Sequence, residues 1–204
     1  MDKIVRALEH AVGDAQTVLD VGCGNNSPLG RFRGRPGSSV GVDIFGRWIA
    51  ESAAKGIHDE YVEMSVLAIA ERFGTGSFDV VLCCDLLEHL DKRDGESLLT
   101  QMEEVARSRV VVLTPNGFVP QGATWGNPHQ VHRSGWAAAE FREREYDVTG
   151  FGGLAHLRGE RGTIRWRPRP MWSALASLTE PIVRFRPELG YHLLAVKHVA
   201  ATSR

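Results

Sequence analysis

The sequence predicts an α/β fold built on a parallel sheet with helices on both faces. Short runs of unbroken Val, Leu and Ile recur along the chain, as expected of strands buried on both sides. Between them lie segments whose apolar residues recur at helical spacing, which is the alternation of a parallel sheet. The first run also breaks into a glycine turn, and the second ends on an acid.

The elements follow in order. Ile4, Val5, Leu8, Ala11 and Val12 place a helix over residues 2–13. Strands are predicted near 17–23, 39–44, 61–65, 78–84 and 109–114. Helical text fills 46–55, 66–73 and 93–107, the last with Leu98, Met102 and Val105 on one face. Ser134 reads as the N-cap of a helix over about 135–144. A sixth strand is expected over 146–151 and a last one over 191–199, with His192, Leu194, Val196 and His198 on one face. Residues 152–190 are irregular. They open with Arg158, Arg161, Arg165, Arg167 and Arg169 around Trp166, then offer a short helix near Trp172–Leu178 that Pro181 stops. At 204 residues the chain is expected to be one domain.

Residues 17–26 read TVLDVGCGNN, and residues 39–43 read SVGVD. Gly22 and Gly24 carry no Cβ, so the backbone there can turn sharply and approach a ligand. Asp43 closes the next strand, where a carboxylate can accept from a ribose diol. A dinucleotide fingerprint would need a third glycine at position 27, where the chain has Ser27 and then Pro28. This favours a mononucleoside over a nicotinamide dinucleotide. The alternative is a tight strand-to-helix turn with an incidental acid nearby.

Here the chain resembles a family. Asp20-Val21-Gly22-Cys23-Gly24 resembles motif I of the class I S-adenosylmethionine-dependent methyltransferases, and Gly41-Val42-Asp43 their acid after the second strand. Residues 77–90, SFDVVLCCDLLEHL, resemble the fourth-strand block, and residues 109–117, RVVVLTPNG, the fifth. Residues 127–136, NPHQVHRSGW, are similar to a segment of small-molecule and natural-product members. The resemblance implies a seven-stranded, mostly parallel, Rossmann-like methyltransferase sheet whose last strand is antiparallel. Residues 152–190 would then be an acceptor-side cap inserted between the last two strands, since their connection leaves the ligand edge of the sheet. A solvated surface loop is the other reading of that segment.

The resemblance also assigns the site. S-adenosylmethionine would lie over Gly22, Cys23 and Gly24, with its ribose on Asp43 and its adenine beside Ile44. Ser65 and the Val66 amide stand where relatives carry an acid for the adenine, and Asp85 lies where the methyl-bearing sulfur is expected. Asp20 would orient the glycine turn and the methionyl ammonium. Methyl transfer needs an acceptor held in line and kept from water, with a base if that acceptor is a hydroxyl. His89 and His132 are the candidate bases, since histidine titrates near neutrality; each could instead brace its own segment. His129, His132, Asp85 and Glu88 match no metal-ligand spacing, so no metal is expected. The expected activity is methylation of a small-molecule acceptor, oxygen favoured; a non-catalytic cofactor-binding protein of the same fold is the alternative.

Bulk properties narrow the partners. With 24 Lys+Arg against 25 Asp+Glu the formal net charge is −1, which argues against a dedicated nucleic-acid binder. Residues 1–130 hold 12 basic and 18 acidic side chains, and residues 131–204 hold 12 and 7. The N-P-P-Y-type string of amino-methylating DNA enzymes is missing after the fourth strand, where residues 84–87 read CDLL. The arginines and tryptophans of 152–190 suit an acceptor that is partly apolar or anionic. Cys23, Cys83 and Cys84 all lie in apolar strand text, which fits a reducing cytoplasm rather than a disulfide framework. No signal sequence or membrane span is expected.

Overall fold

A computed structural model describes residues 2–123, 126–159 and 162–199. Seven strands form one sheet: β1 (Thr17–Val21), β2 (Ser38–Asp43), β3 (Glu60–Glu63), β4 (Phe78–Cys84), β5 (Ala106–Pro115), β6 (Asp147–Leu154) and β7 (Gly190–His198), in the order β3-β2-β1-β4-β5-β7-β6. The helices between them are α1 (Asp2–Val12), α2 (Gly46–Ala54), α3 (Ile69–Phe73), α4 (Lys92–Val105), α5 (Ala138–Glu143), α6 (Arg169–Leu178) and α7 (Glu180–Phe185). Contacts divide the chain into two compact units. The first holds Met1–Leu86, Lys92–Val112 and Val196–Arg204, the second Leu87–Asp91 and Leu113–Ala195.

In the first unit β1 pairs in parallel with β2 and with β4, and β2 with β3. The cores of β1 and β4 are fully buried at Val18, Leu19, Val21, Val80, Val81, Leu82 and Cys83, which explains their unbroken apolar text. Leu98, Leu99, Met102 and Val105 form the buried face of α4. Register decides the rest. Val21 lies opposite Val42 and Cys83, and Asp43 opposite Glu63, so all four strands end at one edge.

β7 runs antiparallel, as its ladder with β5 shows at each end. Asn116 N donates to Tyr191 O at 2.9 Å, and Val199 N to Ser108 O at 2.9 Å, so one strand number rises as the other falls. This is the antiparallel strand expected from the family resemblance.

One local expectation is corrected in the second unit, and one is met. Ser134 is not an N-cap, because its hydroxyl donates to Leu87 O at 3.1 Å and accepts from Trp136 Nε1 at 3.2 Å. The helix α5 starts later, with Glu140 accepting from the Ala137 amide at 2.7 Å. The expected stop before Pro181 is met, since α6 ends at Leu178, and Pro181 itself opens the next helix. It sits in the first turn of α7, where a missing amide hydrogen costs nothing. Residues 152–190 therefore carry two helices, packed on β6. Gly150 and Gly153 permit this, since a Cβ at either would strike a helix carbonyl, Val183 O or Ala176 O. Arg161 lies outside the described residues. Among the described residues no helix is long and apolar enough to cross a membrane.

Candidate functional site

In the first unit the parallel register places the glycine turn directly beside the acid of β2. Gly22 N and Cys23 N both donate to Val42 O, at 2.8 and 3.0 Å. Gly24 N then donates to Asp43 Oδ2 at 2.9 Å, and Phe45 N to Asp43 Oδ1 at 2.9 Å. The carboxylate is thus held from both sides by backbone. Asp43 is only 9% exposed, and burial pushes its carboxyl above the usual range against the opposing pull of the Phe45, Gly24 and Ile44 amides. Ile44 beside it is 47% exposed, an apolar side chain left open next to the acid.

Gly22 and Gly24 both adopt positive φ, 72° and 54°, a region that side chains make costly. Their surroundings differ. A Cβ on Gly22 would lie 2.7 Å from Leu86 Cδ2, whereas on Gly24 the nearest atom would be Trp48 Cε3 at 3.6 Å. A Cβ on Gly24 would meet the Trp48 ring at ordinary contact distance, so its cost there is the positive φ rather than a clash. Asp85, two residues past Cys83 at the same edge, is exposed and takes the left-handed φ of 51°.

Asp20 and Cys23 face inward. Asp20 is 1% exposed; Ser27 Oγ donates to its Oδ2, and His58 Nε2 lies 2.8 Å from the same oxygen. Gly41 makes room for this cluster, since a Cβ there would lie 2.9 Å from His58 Nδ1 and 3.0 Å from Cys23 Sγ. Burial, then the charges of Asp20 and Asp43, drives the Cys23 thiol far up, so it stays protonated and inert. Ser65 caps the turn after β3 by accepting from Leu67 N at 3.3 Å, and Val66 is buried. His58 escaped the sequence reading; the signal was the side-chain-free Gly41 opposite it.

The second unit gathers a different group. Glu88 is buried, and its Oε2 accepts from the Thr114 hydroxyl at 3.0 Å. Its carbonyl accepts from Arg133 N at 2.7 Å and Ser134 N at 3.2 Å, which ties the loop after β5 to the segment after β4. Trp136, 2% exposed, anchors that loop, and its carbonyl accepts from Gly117 N. The result is that His132 meets His89, with ring centroids 4.8 Å apart and planes at 70°. His89 Nδ1 lies 3.3 Å from Val131 O, and His132 Nδ1 2.5 Å from Val119 O. Burial, and then the neighbouring His132, lowers the His89 pKa to about 4, so His89 is neutral at physiological pH. One ligand atom from each of Glu88, His89 and His132 lies within 4.8 Å of the other two. His129 is exposed and stands outside this group.

A glycine turn and a backbone-held acid at the ends of adjacent parallel strands define a nucleoside-binding α/β protein. Residues 19–119 match the family model described as a methyltransferase domain. The chain belongs to this family, the class I S-adenosylmethionine-dependent methyltransferases. A curated relative, the ubiquinone biosynthesis O-methyltransferase of Ralstonia nicotianae, is 37% identical over 107 residues, covering 50% of this chain and 40% of that protein. The curated relatives are matched over only 35–40% of their own lengths. Among solved structures, a SAM-dependent methyltransferase from Archaeoglobus fulgidus shares the fold at TM-score 0.62 and 17% identity, over 97% of this chain and 91% of that one. Magnesium protoporphyrin IX methyltransferase from Synechocystis PCC 6803 aligns at TM-score 0.56 and 16% identity, over 98% of this chain and 77% of that one.

Proposed function

We propose that this chain moves the methyl group of S-adenosylmethionine to an oxygen of a small-molecule acceptor. The observation that carries the cofactor half is Asp43, fixed beside the glycine turn by Gly24 N and Phe45 N. Each carboxylate oxygen accepts one backbone hydrogen and keeps capacity for a ribose hydroxyl. Ile44 supplies an uncovered apolar wall for adenine, and the positive-φ turn at Gly22 and Gly24 lets the amino-acid end approach the backbone closely. Asp85 stands at the same strand edge, on the methyl-bearing side. Asp20, Cys23 and Val66 serve from beneath, shaping the turn rather than touching ligand with their side chains, and the Ser65 hydroxyl is already a cap.

The bound sulfonium supplies both the methyl group and its own leaving group, so the protein has mainly to position the acceptor and keep water out. The acceptor-handling groups are Glu88, His89 and His132. A neutral His89 is a hydrogen-bond acceptor and suits a hydroxyl that must lose its proton as its oxygen attacks the methyl carbon. Oxygen as the methylated atom is supported by the O-methyltransferase names of the curated relatives. The outer faces of α6 and α7, with Arg165, Arg167, Arg169 and Trp166, form the acceptor-side cap and favour a partly apolar, anionic molecule over nucleic acid. The reduced cysteines suit a cytoplasmic setting.

Calorimetry with S-adenosylhomocysteine and with NAD tests the cofactor. Micromolar binding of the first and none of the second is expected, and the reverse would refute the reading. Incubation with S-adenosylmethionine and a panel of phenols and catechols, read by mass spectrometry, tests transfer. Methylation on nitrogen or carbon alone would refute the oxygen assignment.

A further inference from the structure

Glu88, His89 and His132 bring three side chains of metal-ligating type to one place. The Nδ1 atoms of His89 and His132 each face a backbone carbonyl, Val131 O and Val119 O. A carbonyl only accepts, so each Nδ1 is the donor, and in the neutral tautomer Nε2 is the nitrogen that can serve a ligand. Glu88 adds a buried carboxylate already oriented by the Thr114 hydroxyl. One ligand atom from each of the three lies within 4.8 Å of the other two, a spacing that a shared cation can close.

We propose that Glu88, His89 and His132 bind one divalent first-row transition-metal ion. Two imidazoles and a carboxylate suit manganese, iron, cobalt or zinc better than magnesium or calcium, which prefer all-oxygen sites. Imidazoles whose far nitrogen donates to a backbone carbonyl are the usual outer-shell arrangement of metal-binding histidines. The spacing is also close to what an ion needs. A triangle of side 4.8 Å has its centre about 2.8 Å from each corner, and bonds of ~2.0–2.2 Å follow from sub-ångström side-chain shifts. Three protein ligands leave coordination positions open, as catalytic sites do. If the methyl-transfer reading holds, an open position takes the acceptor hydroxyl and makes its proton easier to lose, and with the ion bound this replaces direct proton acceptance by His89; ion binding itself does not depend on that reading.

The sequence hid this site because forty-three positions separate His89 from His132, and backbone ties such as those from Arg133 N and Ser134 N to Glu88 O bring them together. The test is titration of untagged, chelator-stripped protein with Co²⁺, following its visible d–d absorption, alongside calorimetry with Zn²⁺. One ion per chain is expected. His132→Ala and His89→Ala should each weaken binding more than tenfold, while His129→Ala, in an exposed neighbour, should not. Glu88→Gln keeps the shape of a buried side chain and provides a second route if a histidine variant misfolds. S-adenosylhomocysteine affinity is measured in the same samples. Cofactor binding without any Co²⁺ spectrum, or equal loss in His129→Ala, overturns the metal site and leaves the cofactor reading standing. Ion binding without S-adenosylhomocysteine binding would overturn the cofactor reading alone.

Discussion

Replacing Asp43 with Asn separates the two jobs this carboxylate performs. In the folded protein its oxygens accept from Gly24 N and Phe45 N, both at 2.9 Å. The amide of Asn can present oxygen to only one of them and must turn its NH2 toward the other, leaving one backbone donor without an acceptor. That costs about 1–3 kcal/mol of stability. For the ligand, two ribose hydroxyls lose a charged acceptor. A charged hydrogen bond contributes ~1.5–3 kcal/mol and a neutral one ~0.5–1.5, so the loss is about 2–3 kcal/mol, or roughly 30- to 150-fold in affinity at 1.4 kcal/mol per decade. Thermal melting reads the first effect and calorimetry with S-adenosylhomocysteine the second. The pH dependence adds an independent sign. Burial holds the Asp43 carboxyl above its ordinary range, and the protonated form is a poorer acceptor. Affinity should therefore fall as pH drops through that raised value, starting above the ~3.9 of an unperturbed Asp, and Asp43→Asn should lack this limb. A folded Asn variant that binds within twofold of the native protein would refute the placement of the ribose.

Three further outcomes are expected. Gly22→Ala should lower the melting temperature and weaken cofactor binding, because the new Cβ falls 2.7 Å from Leu86 Cδ2 at a φ of 72°; adding Leu86→Ala should restore part of the stability but not the ~1–2 kcal/mol of backbone strain, as denaturant curves would show. His58→Ala removes the partner 2.8 Å from the buried Asp20 oxygen and should cost about 1–3 kcal/mol, as for a buried polar group that loses a hydrogen-bond partner; no measurable loss in urea would mean the pair is dispensable. Replacing Arg165, Arg167 and Arg169 together with Gln should raise KM for an anionic acceptor several-fold with S-adenosylhomocysteine affinity intact, and identical kinetics would reduce α6 and its approach to scaffolding.

The parts legible in the sequence are those encoded over a few residues. Unbroken apolar runs located β1, β2, β4 and β5, because strands buried on both faces have no polar alternation to dilute the signal. The turn at Gly22 and Gly24 was legible for a similar reason, since both take positive φ where only glycine is comfortable. The start of α5 was misjudged at Ser134 because a hydroxyl before a helix looks like a cap whether or not it points at one; here it bridges Leu87 O and Trp136 Nε1. The stop ahead of Pro181 was legible, since α6 ends at Leu178, and the same proline then opens α7, where a first turn tolerates it.

The sequence alone determined the order of strands, the glycine turn and the acid that closes β2, since each depends on backbone preference and local period. Only the tertiary structure decided which side chains meet across the chain. It turned Asp20 inward onto His58, in the space left by Gly41, and kept Asp43 beside the turn. It also brought His132 onto His89 beside the buried Glu88. Such pairings are written in loop closure and interstrand register, which act between residues too distant for any local period to record.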